Sequence, residues 1–298
     1  MANEKLVSEV HLGVSPLSWT NDVLAELGGD ISLETCLKDA AEIGYEGVEL
    51  GRKFPKDGQK LSSILSDYGL RLIGGWHSGF LTERSVEEEW RAAADHCRLL
   101  KDCGSQVLVY GECGLTTGAS PWDEPLSKRP CLKQGELSTY ADKLGEFAGR
   151  LKETGIKFAY HHHLKMVVES AEDIDAFCEA TEVGLLLDTG HAYAAGADYA
   201  EILRKFGSRV AHIHLKDVRR DILERARKND WSFNSAVREG MFTVPGDGDI
   251  DFSAIGEFIR SSGYRGWVVV EAEQDPAKAA PRLYTERANQ FVRKLLTG

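Results

Sequence analysis

Four apolar stretches in the second half of the chain each end in side chains that bind divalent cations. Phe158, Ala159 and Tyr160 run into His161, His162 and His163, and Leu185 to Leu187 run into Asp188, with His191 three residues on. A third stretch ends in His212, Ile213 and His214, and Val268 to Val270 lead to Glu271 and Glu273. Side chains alternate along a strand, so each of the pairs His161/His163, His212/His214 and Glu271/Glu273 shares one face. Each pair offers one member to a metal and the other to a substrate. A shell of mixed imidazole and carboxylate suits Mn²⁺, Co²⁺, Fe²⁺ or Zn²⁺ better than Mg²⁺ or Ca²⁺, which favour oxygen throughout.

Strand tips pool their ligands at one end only when the strands run parallel. The pattern of the whole chain agrees, because strand-like runs alternate with amphipathic helical runs from end to end. The expected strands are His11 to Ser15, Gly47 to Leu50, Leu70 to Gly74, Gln106 to Tyr110, Ile156 to His163, Gly184 to Asp188, Val210 to Leu215 and Trp267 to Glu271. Helical periodicity marks Leu33 to Ile43, Val86 to Lys101, Leu137 to Lys152 and Ala277 to Leu296, and Gly44, Gly69, Gly104, Gly155 and Gly263 stand where helices end. Eight such units in 298 residues predict an α/β fold, one (β/α)8 TIM barrel over residues 1–298. Two long connections, Gly111 to Gln134 and Lys216 to Ile250, belong at the C-terminal mouth as candidate lids. The stretch Pro245 to Asp251 resembles a calcium loop but has Phe252 where an EF-hand requires glycine, so it is expected to be a turn into a capped helix.

The net charge of -11, with no local Lys/Arg cluster, argues against nucleic acid as a partner. No apolar stretch is long enough for a membrane span, and residues 1–6 lack an apolar signal core, so a cytoplasmic protein is expected. The six cysteines have no C-x-x-C spacing, which points to reduced thiols rather than a zinc finger or disulfide framework.

Asp188-Thr189-Gly190-His191, His212-Ile213-His214-Leu215-Lys216-Asp217 and Gly266-Trp267-Val268-Val269-Val270-Glu271 resemble the xylose isomerase-like TIM-barrel superfamily. Within it, Ser15 to Asp22, Tyr45 to Gly51, Tyr160 to His163 and Glu271 to Pro276 resemble the inosose dehydratase family, and the likeness runs along nearly the whole chain. That resemblance implies a metal shell of Asp188, His214 and Glu271, with His161 where most superfamily members have glutamate. It implies Mn²⁺ or Co²⁺, with Zn²⁺ or Fe²⁺ as further candidates, and glutathione as an additional cofactor for which the residues themselves show no site. The implied reaction is dehydration of 2-keto-myo-inositol to a trihydroxycyclohexane-dione in inositol catabolism.

Dehydration beside a ketone passes through an enolate, whose oxygen a divalent ion stabilises while protons are moved by side chains. His163 and His191 are the economical proton-transfer candidates, with Lys216 and Glu273 as competitors. Arg219 and Arg220 are placed to bind substrate hydroxyls or to be solvated loop charges. Trp19 and Trp76 are placed to cover a polyol ring or to pack in the core. Glu49, His77 and Asn21 are further polar contacts for a substrate. A keto-sugar isomerase or epimerase would use the same metal and enediolate, an endonuclease IV-like enzyme would need several metals and a phosphate-tolerant surface, and a non-catalytic barrel would bind without turnover. The expected partner is a small polyol ketone, with homo-oligomer formation left open.

Overall fold

The computed structural model describes residues 9–116, 120–133 and 135–297. Residues 1–6, read above for targeting, lie outside that range, as do 117–119 and Gln134 of the first long connection. Eight strands, β1 (Val10–Val14), β2 (Gly47–Leu50), β3 (Arg71–Gly79), β4 (Val107–Glu112), β5 (Lys157–His161), β6 (Leu185–Asp188), β7 (Val210–Leu215) and β8 (Gly266–Val270), pair in chain order. All these pairings are parallel, and β1 against β8 closes the barrel. No helix among the described residues is long and apolar enough to cross a membrane.

The first five helices, α1 (Leu33–Ile43), α2 (Gly58–Asp67), α3 (Val86–Asp102), α4 (Glu136–Glu153) and α5 (Ala171–Ala180), form because their apolar faces recur with the helical period, and side chains cap the starts of all but α4. Ser85 with Glu88 and Ser170 with Asp173 form reciprocal capping boxes at the starts of Val86–Asp102 and Ala171–Ala180. The five glycines expected at helix ends all take positive φ, from 67° to 93°. The last helix, expected from Ala277, begins at Pro281, whose fixed φ and missing N–H suit a first turn.

Outward residues of the strands, such as Leu12, Val48, Phe158, Ile213 and Val268, bury against the helical layer. Inside the barrel a smaller cluster of Val107, Val109, Ala159 and Leu186 fills the bore, with Trp76 and Ala211 against it. At the bottom, Gly13 makes room for Ile73: a Cβ there would lie 2.1 Å from Ile73 Cδ1.

Two strand ends beside the site differ most from the periodicity. Strand β3 runs on to Gly79, so Trp76 and His77 lie within it rather than beyond it, and alternation sends Trp76 inward and His77 outward. Strand β5 stops at His161, so His162 and His163 belong to the connection that follows. The calcium-like segment is wrapped around an anion. The Asp217 carboxylate accepts the N–H groups of Gly246, Gly248 and Ile250 at 3.0, 2.9 and 3.0 Å, so the amides of the turn face inward. The following helix, Ser253–Ser261, has no side-chain cap at Phe252, and Asp251 Oδ1 instead takes the Ser253 N–H at 2.9 Å.

Gly190 sits in α6 (Thr189–Ala195), the helix that starts directly from the tip of β6, and Lys216 passes beneath it. A Cβ there would lie 2.5 Å from Lys216 Cγ, which α6 and β7 leave little room to move. Gly190→Ala is expected to destabilise the protein by about 1–3 kcal/mol through overpacking, seen as a lower midpoint in thermal unfolding. An unchanged midpoint would show that the lysine stem is not confined.

Candidate metal centre

The tip of β6 explains why Asp188, Thr189, Gly190 and His191 stand together. Asp188 caps α6: its Oδ1 accepts the His191 N–H at 2.8 Å, which leaves Oδ2 without a hydrogen-bond partner. Thr189 Oγ1 donates to the Lys216 carbonyl at 2.7 Å and accepts the Lys216 N–H at 3.0 Å, locking β6 to the end of β7. The neighbouring tips bring His161 Nε2 to 3.5 Å and His214 Nδ1 to 3.6 Å from Asp188 Oδ2. Glu271 Oε2 lies 2.9 Å from the same His214 nitrogen.

One donor atom from each of His161, Asp188, His214 and Glu271 lies within 4.8 Å of the other three, and all four residues are buried. Asp188 Oδ2 and His214 Nδ1 nevertheless make no hydrogen bond of proper angle. Two buried polar atoms left without a hydrogen bond beside two further donors fit one divalent ion. The His161 Nδ1 atom donates to the His162 carbonyl at 2.7 Å, so the lone pair is on Nε2, facing Asp188. On the far side of His214, Nε2 donates to Glu49 Oε1 at 2.9 Å, and His212 Nε2 reaches the same oxygen at 2.9 Å.

Charge follows from this packing. Burial pushes the Asp188, Glu271 and Glu49 carboxyls up, but the cations around them prevail. Lys216 and the histidines hold Asp188 well below the usual carboxylate range, and His214 and Lys216 do the same for Glu271. His214 and His212 hold Glu49 at about 2. Burial lowers His161 and favours its neutral, ligating form. His214 goes the other way: burial opposes its charge, but Glu271 and Glu49 outweigh burial and raise it.

A second trio lies alongside. His163, His191 and Glu273 bring donor atoms together, with Glu273 Oε1 3.8 Å from Nε2 of both histidines, and the two imidazole rings sit 3.6 Å apart. The Nδ1 atom of His163 donates to the Leu164 carbonyl at 2.6 Å, leaving Nε2 toward Glu273. Lys216 joins the two groups, with Nζ 2.8 Å from Glu271, 2.7 Å from Glu273 and 2.8 Å from His191 Nε2. Burial would depress this lysine, but Asp188, Glu271 and Glu273 together raise it above its ordinary range, so it stays charged.

The sequence family described as the xylose isomerase-like TIM barrel matches residues 37–295. An inosose dehydratase of Geobacillus thermodenitrificans is 39% identical over 96% of this chain and 97% of its own. The rhizopine catabolism protein MocC of Rhizobium meliloti is 42% identical over 96% of this chain and 88% of its own. The chain is a xylose isomerase-like TIM barrel of the inosose dehydratase family. Solved structures share the family's fold at low identity. The IOLI protein with a bound zinc atom superposes with a TM-score of 0.69 at 17% identity over 96% of this chain and 98% of that one. A Methylomonas D-allulose 3-epimerase in complex with D-allulose gives 0.66 at 16%, over 96% and 97%.

In this member of the family a cavity of about 310 Å³, small for a ligand site, opens beside the four-donor cluster. His161, His163, His214, Glu271, Glu273, Glu49, Trp76 and Asn21 line it, while His191 and Lys216 stand behind. Glu49, expected to contact substrate, is held by two histidines and orients His214 as well as lining the wall. Asn21 spends its Oδ1 on the N–H groups of Val23 and Leu24.

Four expected substrate contacts lie elsewhere. Trp19 is buried, with its indole N–H on Asp39 at 3.0 Å. His77 points into the helical layer and pairs with Glu89 at 2.6 Å. Arg219 is committed to Gly240, Thr243 and Asp247, and so braces the turn of the second long connection. Arg220 bonds Tyr193 at 2.9 Å in a separate surface cavity. Near-tip position alone suggested these residues. Strand parity and distant hydrogen-bond partners took them away.

Sequence reasoning placed the two long connections at the mouth as candidate lids but missed the residues that form the roof. The two long connections meet across the mouth: Leu126 N–H donates to the Trp231 carbonyl, Ser127 bonds Asp230 at 2.6 Å, and the rings of Trp122 and Phe233 lie 5.3 Å apart. Trp122 and Phe233 then cover His163, each with its centroid 5.4 Å away. Only the unusual length of these connections signalled them.

Because His214 is raised, its imidazolium must give up the Nδ1 proton before that nitrogen can ligate. Metal affinity is therefore expected to climb with pH and level off above the raised pKa, with about one proton released per ion at neutral pH. Titration calorimetry in buffers of different ionisation enthalpy measures this. Glu49→Gln removes the negative charge beside Nε2 while keeping an acceptor there, and is expected to weaken binding about 10- to 100-fold while releasing less proton. Equal affinity and equal proton release would contradict the geometry.

Proposed function

We propose that the protein is a metal-dependent hydro-lyase that removes water from 2-keto-myo-inositol in inositol catabolism, acting in the cytoplasm. The observation that carries this reading is that one cavity is lined by three of the four clustered donors, His161, His214 and Glu271, and also by His163 and Glu273, in a chain of the inosose dehydratase family. His161, Asp188, His214 and Glu271 would hold the ion, with Mn²⁺ or Co²⁺ as our candidates for this nitrogen and oxygen set. When bound, it supplies a Lewis acid for the oxygen anion that develops as the ketone becomes an enolate.

The remaining steps fall to the chain's own groups. His163, fixed by its Nδ1 bond to Leu164, presents a basic Nε2 to the cavity and takes the proton between the ketone and the departing hydroxyl. The Glu273 carboxylate, whose Oε1 lies 3.8 Å from His163 Nε2, then takes that proton from the imidazole and hands it to the hydroxyl as the carbon–oxygen bond breaks, so that water leaves and both groups return to their starting forms. Lys216 keeps its proton and acts as a fixed counter-charge, and His191 supports the ring of His163 from behind. Trp76, wedged against Gly111 where a Cβ would lie 2.0 Å from its ring, offers an apolar face to the carbon skeleton of the substrate.

The 42% identity to MocC favours a second reading, the same chemistry in rhizopine catabolism. Assaying rhizopine-derived ketones beside 2-keto-myo-inositol separates the two. Metal-stripped protein is expected to regain turnover on Mn²⁺ or Co²⁺ addition, giving a product lighter than the substrate by one water. In Asp188→Ala the rescue is expected to be lost. A product of unchanged mass would make the protein an isomerase or epimerase instead, and rescue that survives Asp188→Ala would overturn the metal assignment.

A further inference from the structure

Asn234 is 3% exposed and lies on the roof of the cavity, in the short helix Phe233–Arg238 of the second long connection. Its Nδ2 donates to Asp123 Oδ1 at 2.8 Å, joining the two connections. A carboxylate only accepts, so this bond fixes which end of the amide faces Asp123. The carbonyl end is left over, and Asn234 Oδ1 is buried with no partner among the described residues. The other lining residues from the same connection, Phe233 and Val237, are apolar. A buried acceptor among apolar neighbours is costly to leave unpaired, and a ligand that brings a donor removes that cost.

We infer that Asn234 is a specificity-determining residue whose Oδ1 accepts a hydrogen bond from a ring hydroxyl of the bound polyol ketone, on the roof side away from the metal ligands. This rests on the proposed dehydratase reading and extends it to the choice among polyols. A site built around an acceptor rejects an analogue that lacks the matching hydroxyl, because the acceptor is then buried unpaired. Its tie to Asp123 also makes the substrate a third partner in the contact between the two connections.

The test compares 2-keto-myo-inositol with its monodeoxy analogues, each lacking one hydroxyl not involved in the elimination. Wild-type kcat/KM is expected to fall about 10- to 100-fold for one analogue. Asn234→Ala should lose about the same factor on the full substrate and nothing further on that analogue. Asn234→Leu, close in size but without the acceptor, should lose the same factor on the full substrate and nothing further on that analogue, and it serves if the alanine variant misfolds. Equal losses by Asn234→Ala on every analogue, or no loss on any, would overturn the inference while leaving the dehydratase reading intact. No turnover of any polyol ketone by the metal-loaded wild type would overturn both.

Discussion

Four carboxylates, Asp188, Glu271, Glu49 and Glu273, are buried at one end of the barrel, each less than 8% exposed. Like charges taken out of water and brought together are tolerated only when cations accompany them. Lys216 is the lysine that reaches three of them, and His214 takes up charge between Glu49 and Glu271. A divalent ion held by this cluster would add two positive charges and release His214 from that duty. The rest of the site serves this compensation: Thr189 fixes the backbone of Lys216, Gly190 lets its stem pass, and the cap of α6 turns one oxygen of Asp188 away so that the other is free.

The barrel divides labour by depth and by parity. Apolar inward residues fill the bore, imidazoles and carboxylates occupy the tips, and the longer connections roof the mouth with aromatic rings. The two clusters, one built on Asp188 and Glu271 and the other on His191 and Glu273, share Lys216 without sharing atoms with each other. The pair at the cavity wall, His163 and Glu273, is therefore held in place by the same cation that steadies Glu271. Chemistry at one group and charge at the other are coupled through a single buried ammonium.

Much of this was legible from residue order because ligands at strand tips follow an apolar run directly, and parallel topology then requires their convergence. His161, Asp188, His214 and Glu271 sit together for that reason, and His163, His191, Glu273 and Lys216 lie beside them. What was not legible depended on long-range partners. Glu46-Gly47-Val48-Glu49 gives no hint that Glu49 meets two histidines more than 160 residues away. Trp19 and His77 lie near tips but turn to Asp39 and Glu89 in the helical layer, and Arg219 is consumed by the turn it braces. The roof residues Trp122, Phe233 and Asn234 come from stretches without the period-two pattern that marked the strand tips, so their meeting is visible only in three dimensions.

Anomalous diffraction from crystals soaked in Mn²⁺ or Co²⁺ tests the convergence of donors most directly. A single strong peak is expected, lying about 2.0–2.3 Å from His161 Nε2, Asp188 Oδ2, His214 Nδ1 and a Glu271 carboxylate oxygen. A peak held by other side chains, or no ordered ion with all four residues in the arrangement described, would contradict the account.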